Sequence, residues 1–139
     1  MNSLDDIGQA IDTLMADPVP AEPFAASLRA LGESILVHWL MAHGQDPTTD
    51  EHEGFRLLAL HRQGAKADVS FNACRETCRE LVYHYNLLTL DPNHERTTER
   101  NQMMYFVAKH LFLFISGKLE VQELGDFCCS SKPLRQGTA

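Results

Sequence analysis

Four cysteines and seven histidines are the residues of this 139-residue chain with the most specific chemistry to offer. Cys74 and Cys78 form a C-x3-C pair, within the spacing range of zinc sites, and the adjacent Cys128 and Cys129 could supply further thiolates. Zinc takes four ligands in a tetrahedron, and one helical turn can present two of them on one face. Against this, Cys74 and Cys78 fall inside an apolar stripe, where a free cysteine packs as a small hydrophobe. Neighbouring cysteines on one short segment also point in different directions. Core thiols are therefore the expectation, with Cys74, Cys78 and Cys128 as ligands in the alternative reading. The histidines show no HExxH, HxxxH or ExxH spacing of the kind that builds metal sites on helices. Glu80 and His84, one turn apart on the polar side of the fourth helix, could share a metal or a proton, or simply form a surface hydrogen bond that supports the helix. His110 sits in an apolar stretch and is the histidine expected to be buried. No cofactor is expected.

Two further constellations suggest chemistry. Trp39, Tyr83, Tyr85, Tyr105 and Phe106 fall mostly at helical core spacing, so core packing is the first reading. A ligand pocket between helices, using Trp39, Tyr83, Tyr105 and His110, is the second. Arg79-ELVY-His84 and Arg56-LLAL-His61 both resemble, in spacing, the Arg and His separated by four to six residues in small all-α RNases of the HEPN superfamily. That resemblance implies phosphate binding by Arg79 and acid or base action by His84. Eight arginines and seven histidines give about one such match by chance. Residues five apart on a continuous helix also point roughly 140° away from each other. Glu80 and Leu57 stand where the family commonly has a polar residue after its arginine. The match does not identify a family member. No GxSxG, P-loop or dinucleotide fingerprint is present, which removes support from the common hydrolase, NTPase and dehydrogenase readings.

Charge narrows the partners. The net charge is −7, against the positive surface that nucleic-acid binding needs. Residues 1–53 carry ten acids and one base, whereas residues 54–139 carry eleven bases and nine acids. The first reading is a solvated acidic end; the second is an acidic surface offered to a basic partner. Arg75 and Arg79, and Arg96 and Arg100, alternate with Glu76, Glu80, Glu95 and Glu99, which predicts intrahelical ion pairs rather than a phosphate track.

The elements that must position these residues are helices. Ser3 and Asp6 resemble a capping box ahead of Leu4, Ile7, Ile11 and Leu14, and this first helix should end near Ala16, before the prolines of DPVPAEP. A second helix is predicted over residues 22–43, nearly apolar all round in its second half and stopped by Gly44. Thr48-x-x-Glu51 reads as a capping box opening a short third helix that Gly64 ends. A fourth is predicted over 68–90, with the stripe Phe71, Cys74, Cys78, Leu81, Tyr85 and Leu88. A fifth is predicted over 94–116, with one stripe of Met104, Val107, Leu111 and Phe114 and a second of Met103, Phe106, His110 and Leu113 beside it. Gly117 should end it, and Leu119–Leu124 could add a last turn or two. No segment alternates as a strand does.

The sequence thus predicts an all-α chain, a compact bundle of about five helices over residues 1–129 with a loose tail over 130–139. Too many faces are apolar for five short helices to cover, which predicts a homodimer through the second or the fifth helix. The opening MNSLDDIGQAID lacks the marks of a signal peptide, and the 13-residue run Met103–Ile115 is too short and too polar to cross a bilayer. A cytoplasmic interaction or regulatory protein, non-enzymatic and acting on an unidentified protein partner, is the expectation. A helical metal- or small-ligand-binding protein is the alternative, and a HEPN-like endoribonuclease a further one.

Overall fold

The computed structural model describes residues 3–16 and 20–122. Within them lie five α-helices, α1 (Leu4–Ala16), α2 (Ala21–Ala42), α3 (Arg56–Ala67), α4 (Arg75–Leu90) and α5 (Thr97–Val121), with a short 3-10 helix (Val69–Cys74) leading into α4. Among the described residues the only β pairing is an isolated bridge between His52 and Phe55. The all-α expectation holds.

Local chemistry explains where several helices begin and end. The capping box on α1 forms as predicted: the Ser3 N–H donates to Asp6 Oδ2 at 3.1 Å, and the Asp6 N–H to Ser3 Oγ at 3.2 Å. Gly44 ends α2 in the left-handed conformation (φ +74°). Its N–H reaches Met41 O, and the Gln45 N–H reaches Leu40 O, so two of the last carbonyls are satisfied in a Schellman motif.

Three boundary expectations need correction. Thr48-x-x-Glu51 does not open a helix; α3 starts later, at Arg56, behind an extended Phe55. The Thr48 hydroxyl instead accepts the Asp50 N–H in a local turn. Side chains of α3 hold the loop: Gln63 bonds the Thr48 N–H and the Asp46 carbonyl, and Arg56 Nε donates to the Thr48 carbonyl at 2.9 Å. Gly64 does not end α3, which runs three residues further to Ala67. Gly117 likewise lies inside α5, which continues to Val121 and buries Leu119 against the core. A helical glycine costs only about 1 kcal/mol relative to alanine, less than the burial of a leucine returns. The predicted fourth helix is also divided, since Asp68 caps the 3-10 segment by accepting the Ser70 N–H and hydroxyl.

α2 is the central element and packs on α1, α3, α4 and α5. Phe24, Leu28, Ile35, Leu36, Trp39 and Leu40 bury its faces within the chain, which answers why that helix is apolar nearly all round. The short connection over residues 91–96 returns α5 along α4, and α1 closes over α2 and α5 with Ile7 and Ile11. One hydrophobic cluster joins all five helices and the 3-10 segment. No described helix is long and apolar enough to cross a membrane.

Candidate functional site

Of the four cysteines, the two described, Cys74 and Cys78, lie in the core. Cys74 and Cys78 are free and buried, and the Cys74 thiol donates to the Phe71 carbonyl at 3.2 Å. The same carbonyl accepts from His61 Nε2 at 3.1 Å, which fixes the proton on that ring nitrogen. A hydrogen bond from Cys78, helped by His61, lowers the Cys74 pKa to about 6, while the Cys78 thiol is pushed up by Cys74 and by burial. Around them the rings form a ladder: Trp39 stacks on Phe71 at 4.6 Å between centroids, and Phe71 on His61 at 5.3 Å. Among the described residues no group of three or more His, Cys, Asp or Glu side chains could hold a metal ion. Cys128 lies outside the described residues.

Arg79 and His84 are not brought together. Arg79 is half-exposed and grips Glu53 at 3.0 Å, whereas His84 is buried. The placement of His84 on the polar side of α4 is therefore corrected; of the pair, Glu80 is exposed and His84 is not. His84 Nδ1 is a buried nitrogen with no hydrogen-bond partner among the described residues. Burial lowers the His84 pKa, and the nearby Glu80 charge opposes that only partly. In the other match, Arg56 is engaged by the Thr48 carbonyl and His61 by the Phe71 carbonyl.

The aromatic candidates are also scattered. Trp39 is in the core, Tyr83 is exposed, and the Tyr105 hydroxyl donates to Asp12 at 2.8 Å across the α1–α5 seam. His110, expected to be buried, is exposed. No ring contact joins any two of Trp39, Tyr83, Tyr105 and His110. The ion-pair expectation holds in one place, Arg96–Glu99 at 2.6 Å, and fails for Arg79, which bonds across the loop instead.

Two surfaces emerge in their place. The first is on α5. Met104, Val107, Leu111, Ile115 and Leu119 face the core. The second stripe stays outside, with Met103 51% exposed, Phe106 61% and Leu113 57%, and Val121, beyond the predicted end of the helix, extends it at 61%. Exposed His110 and Gly117 complete the row, and a Cβ on Gly117 would meet nothing within 4 Å.

The second surface is a basic groove between loop 45–55, α3 and the start of α4. Two cavities, of about 600 and 370 Å³, share His52, His61, Arg62 and Arg75 in their walls. Lys66, Asp50 and Glu51 add to the larger, and Arg79 and Glu53 to the smaller. Arg62 donates to His52 Nδ1 at 2.8 Å, and His52 Nε2 lies 3.0 Å from Glu53 Oε2. That arrangement needs a neutral His52 with its proton on Nε2. Arg79 and His52 together hold the Glu53 carboxyl below its usual range, the Arg79 hydrogen bond being the larger cause. Sequence reasoning singled out Arg75 and Arg79 but missed His52, Arg62 and Lys66. The available signal was the i, i+4 pairing of Arg62 with Lys66 on one helix and of Arg75 with Arg79 on the next.

No protein-family model, no curated protein and no solved structure matches the chain.

Proposed function

We propose that this chain is an interaction protein that works as a homodimer through the outer face of α5. One observation carries the reading: a continuous exposed row of Met103, Phe106, His110, Leu113, Gly117 and Val121, spaced three and four apart, on a helix whose opposite side already fills the core. Exposed apolar rows of this length are uncommon on monomers, and three–four spacing is the spacing of helix–helix seams.

A second copy fits this row because it is self-complementary. Met103 and Gly117 stand one heptad on either side of His110, and Phe106 and Leu113 flank it more closely. Antiparallel pairing about His110 sets the large Met103 of one copy against the empty position at Gly117 of the other, with Phe106 and Leu113 one residue out of direct opposition. An isologous two-fold interface requires this reciprocity. Each side chain withdrawn from water contributes up to about 1.5–3 kcal/mol. α2 offers no comparable surface, since its large apolar side chains other than Met41 are turned inward. We place the protein in the cytoplasm, a reading supported by two free thiols one helical turn apart. As a regulatory protein it would offer the paired helices to a further protein partner.

Light scattering on a size-exclusion column tests the reading. The native chain should elute as a dimer at tens of micromolar. Phe106→Glu and Gly117→Leu should both elute as monomers with unchanged helicity. Gly117→Leu is the sharper variant, because a Cβ there meets nothing within 4 Å in its own chain. A native monomer at that concentration, or a dimer indifferent to both changes, removes the proposal.

A further inference from the structure

We infer that the groove between loop 45–55, α3 and α4 is a binding site for a small phosphate-bearing anion, a phosphomonoester or diphosphate, held by Arg75, Lys66 and Arg62. This goes beyond the dimer reading and does not depend on it.

The argument begins with unspent charge. Arg29, Arg96 and Lys109 each hold a carboxylate within 3 Å. Arg75 and Lys66 have neither an ion pair nor a hydrogen bond among the described residues, although both line the same cavity. Arg62 is bonded to a neutral imidazole nitrogen, so its charge is not cancelled. Glu53, the carboxylate nearest these groups in the smaller cavity, is already shared by Arg79 and His52. Three cations without an ion-pair partner among the described residues thus line one concavity, and the two carboxylates on its wall, Asp50 and Glu51, leave it an excess of positive charge in a chain of net charge −7. Neither carboxylate pairs with these cations, so the N–H donors of Arg75 and Lys66 remain free for an anion.

The donor set points to the class of anion. One guanidinium fork satisfies one carboxylate, whereas two guanidinium groups and an ammonium suit the several oxygens and second charge of a phosphate. Asn72, exposed in the larger cavity, offers a neutral amide to a neighbouring hydroxyl. The cavity volumes fall within the range for small-molecule ligands. A nucleic-acid strand fits less well. No Phe, Tyr or Trp lines either cavity to stack on a base.

The experiment is titration calorimetry of the full chain with inorganic pyrophosphate at low ionic strength. One saturable site per chain is expected. Arg75→Ala or Lys66→Ala should weaken it about tenfold or more, as loss of a charge-assisted contact does. Neither side chain has a partner to lose, so both variants should melt where the native chain does. Arg100→Ala, which removes an equal charge outside the groove, should leave binding unchanged. Absence of saturable heat overturns the inference. So does equal weakening by Arg100→Ala, which would mean diffuse attraction rather than a site. A single-stranded RNA oligonucleotide that binds more tightly than pyrophosphate, and loses that binding in Arg75→Ala, would also overturn it in favour of a nucleic-acid surface.

Discussion

Gly64 of α3 lies against the ring of Phe71, so close that a Cβ at Gly64 would stand 2.6 Å from two ring carbons. The ring has nowhere to retreat, because Trp39 stacks on it and so does His61. Gly64→Ala is therefore expected to destabilise the fold by ~1–3 kcal/mol through overpacking, even though alanine is the better helix former. At this size each kcal/mol lowers Tm by roughly 3 °C. Thermal denaturation followed by circular dichroism checks the sign; an unchanged or raised Tm would show that the ladder can shift.

The loop that walls the basic groove turns on two residues with positive φ, Glu53 (+54°) and Gly54 (+86°). Arg79 clamps the first, but that pair is solvent-exposed and contributes little to stability. Gly54→Ala forces a side chain into a conformation that costs about 1–2 kcal/mol, though nothing crowds the position. Gly54→Ala should thus lower the urea midpoint more than Arg79→Ala does. The reverse order would assign the loop's shape to the ion pair.

His84 should make stability fall in mild acid. Its folded pKa is depressed by burial, so below the unfolded value of about 6.5 the unfolded chain binds the proton more readily. Native stability is then fully present above that pH and is lost as pH drops beneath it. The chain carries six other histidines, so the comparison that counts is with His84→Gln. That variant should show a shallower decline in unfolding free energy between pH 7.5 and 5. Parallel curves would show that His84 takes up its proton equally in both states.

Asp12 ties α1 to α5 and should matter only above its own titration. Hydrogen bonds from Lys109, then from Tyr105, hold its carboxyl below the usual range. The stabilisation is present above the unfolded value of about 3.9 and disappears as pH falls through the folded one. Asp12→Asn should cost a little stability at pH 7, and the cost should fall away as pH drops below the unfolded value and shrink in molar salt. The effect is small because the carboxylate is half-exposed. A cost that persists in acid would point to packing rather than charge.

Much of the fold was legible from spacing alone. Apolar residues at three and four apart mark the helices, Ser3 with Asp6 marks where α1 begins, and Gly44 marks where α2 stops, because each signal acts on backbone groups within a few residues of itself. Thr48, Gly64 and Gly117 misled for the complementary reason. Their local signals are weak, and distant partners outweighed them: Gln63 and Arg56 on the loop, Phe71 at Gly64, and the buried Leu119 beyond Gly117.

The candidate sites divide the same way. By itself the sequence determined that α5 carries two apolar stripes, that Cys74 and Cys78 share a helical face with core residues, and that bases gather in the second half of the chain. Periodicity and composition are properties of the chain alone. Only the tertiary structure decided which α5 stripe faces inward, leaving His110 and Phe106 outside, and that His84 is buried while Arg79 is not. It alone brought His52, Arg62 and Arg75 from three separate segments to one groove. A helix with two apolar faces has no local reason to prefer either; the choice is made by the area each can bury against α2 and α4, and that area exists only once those helices have packed.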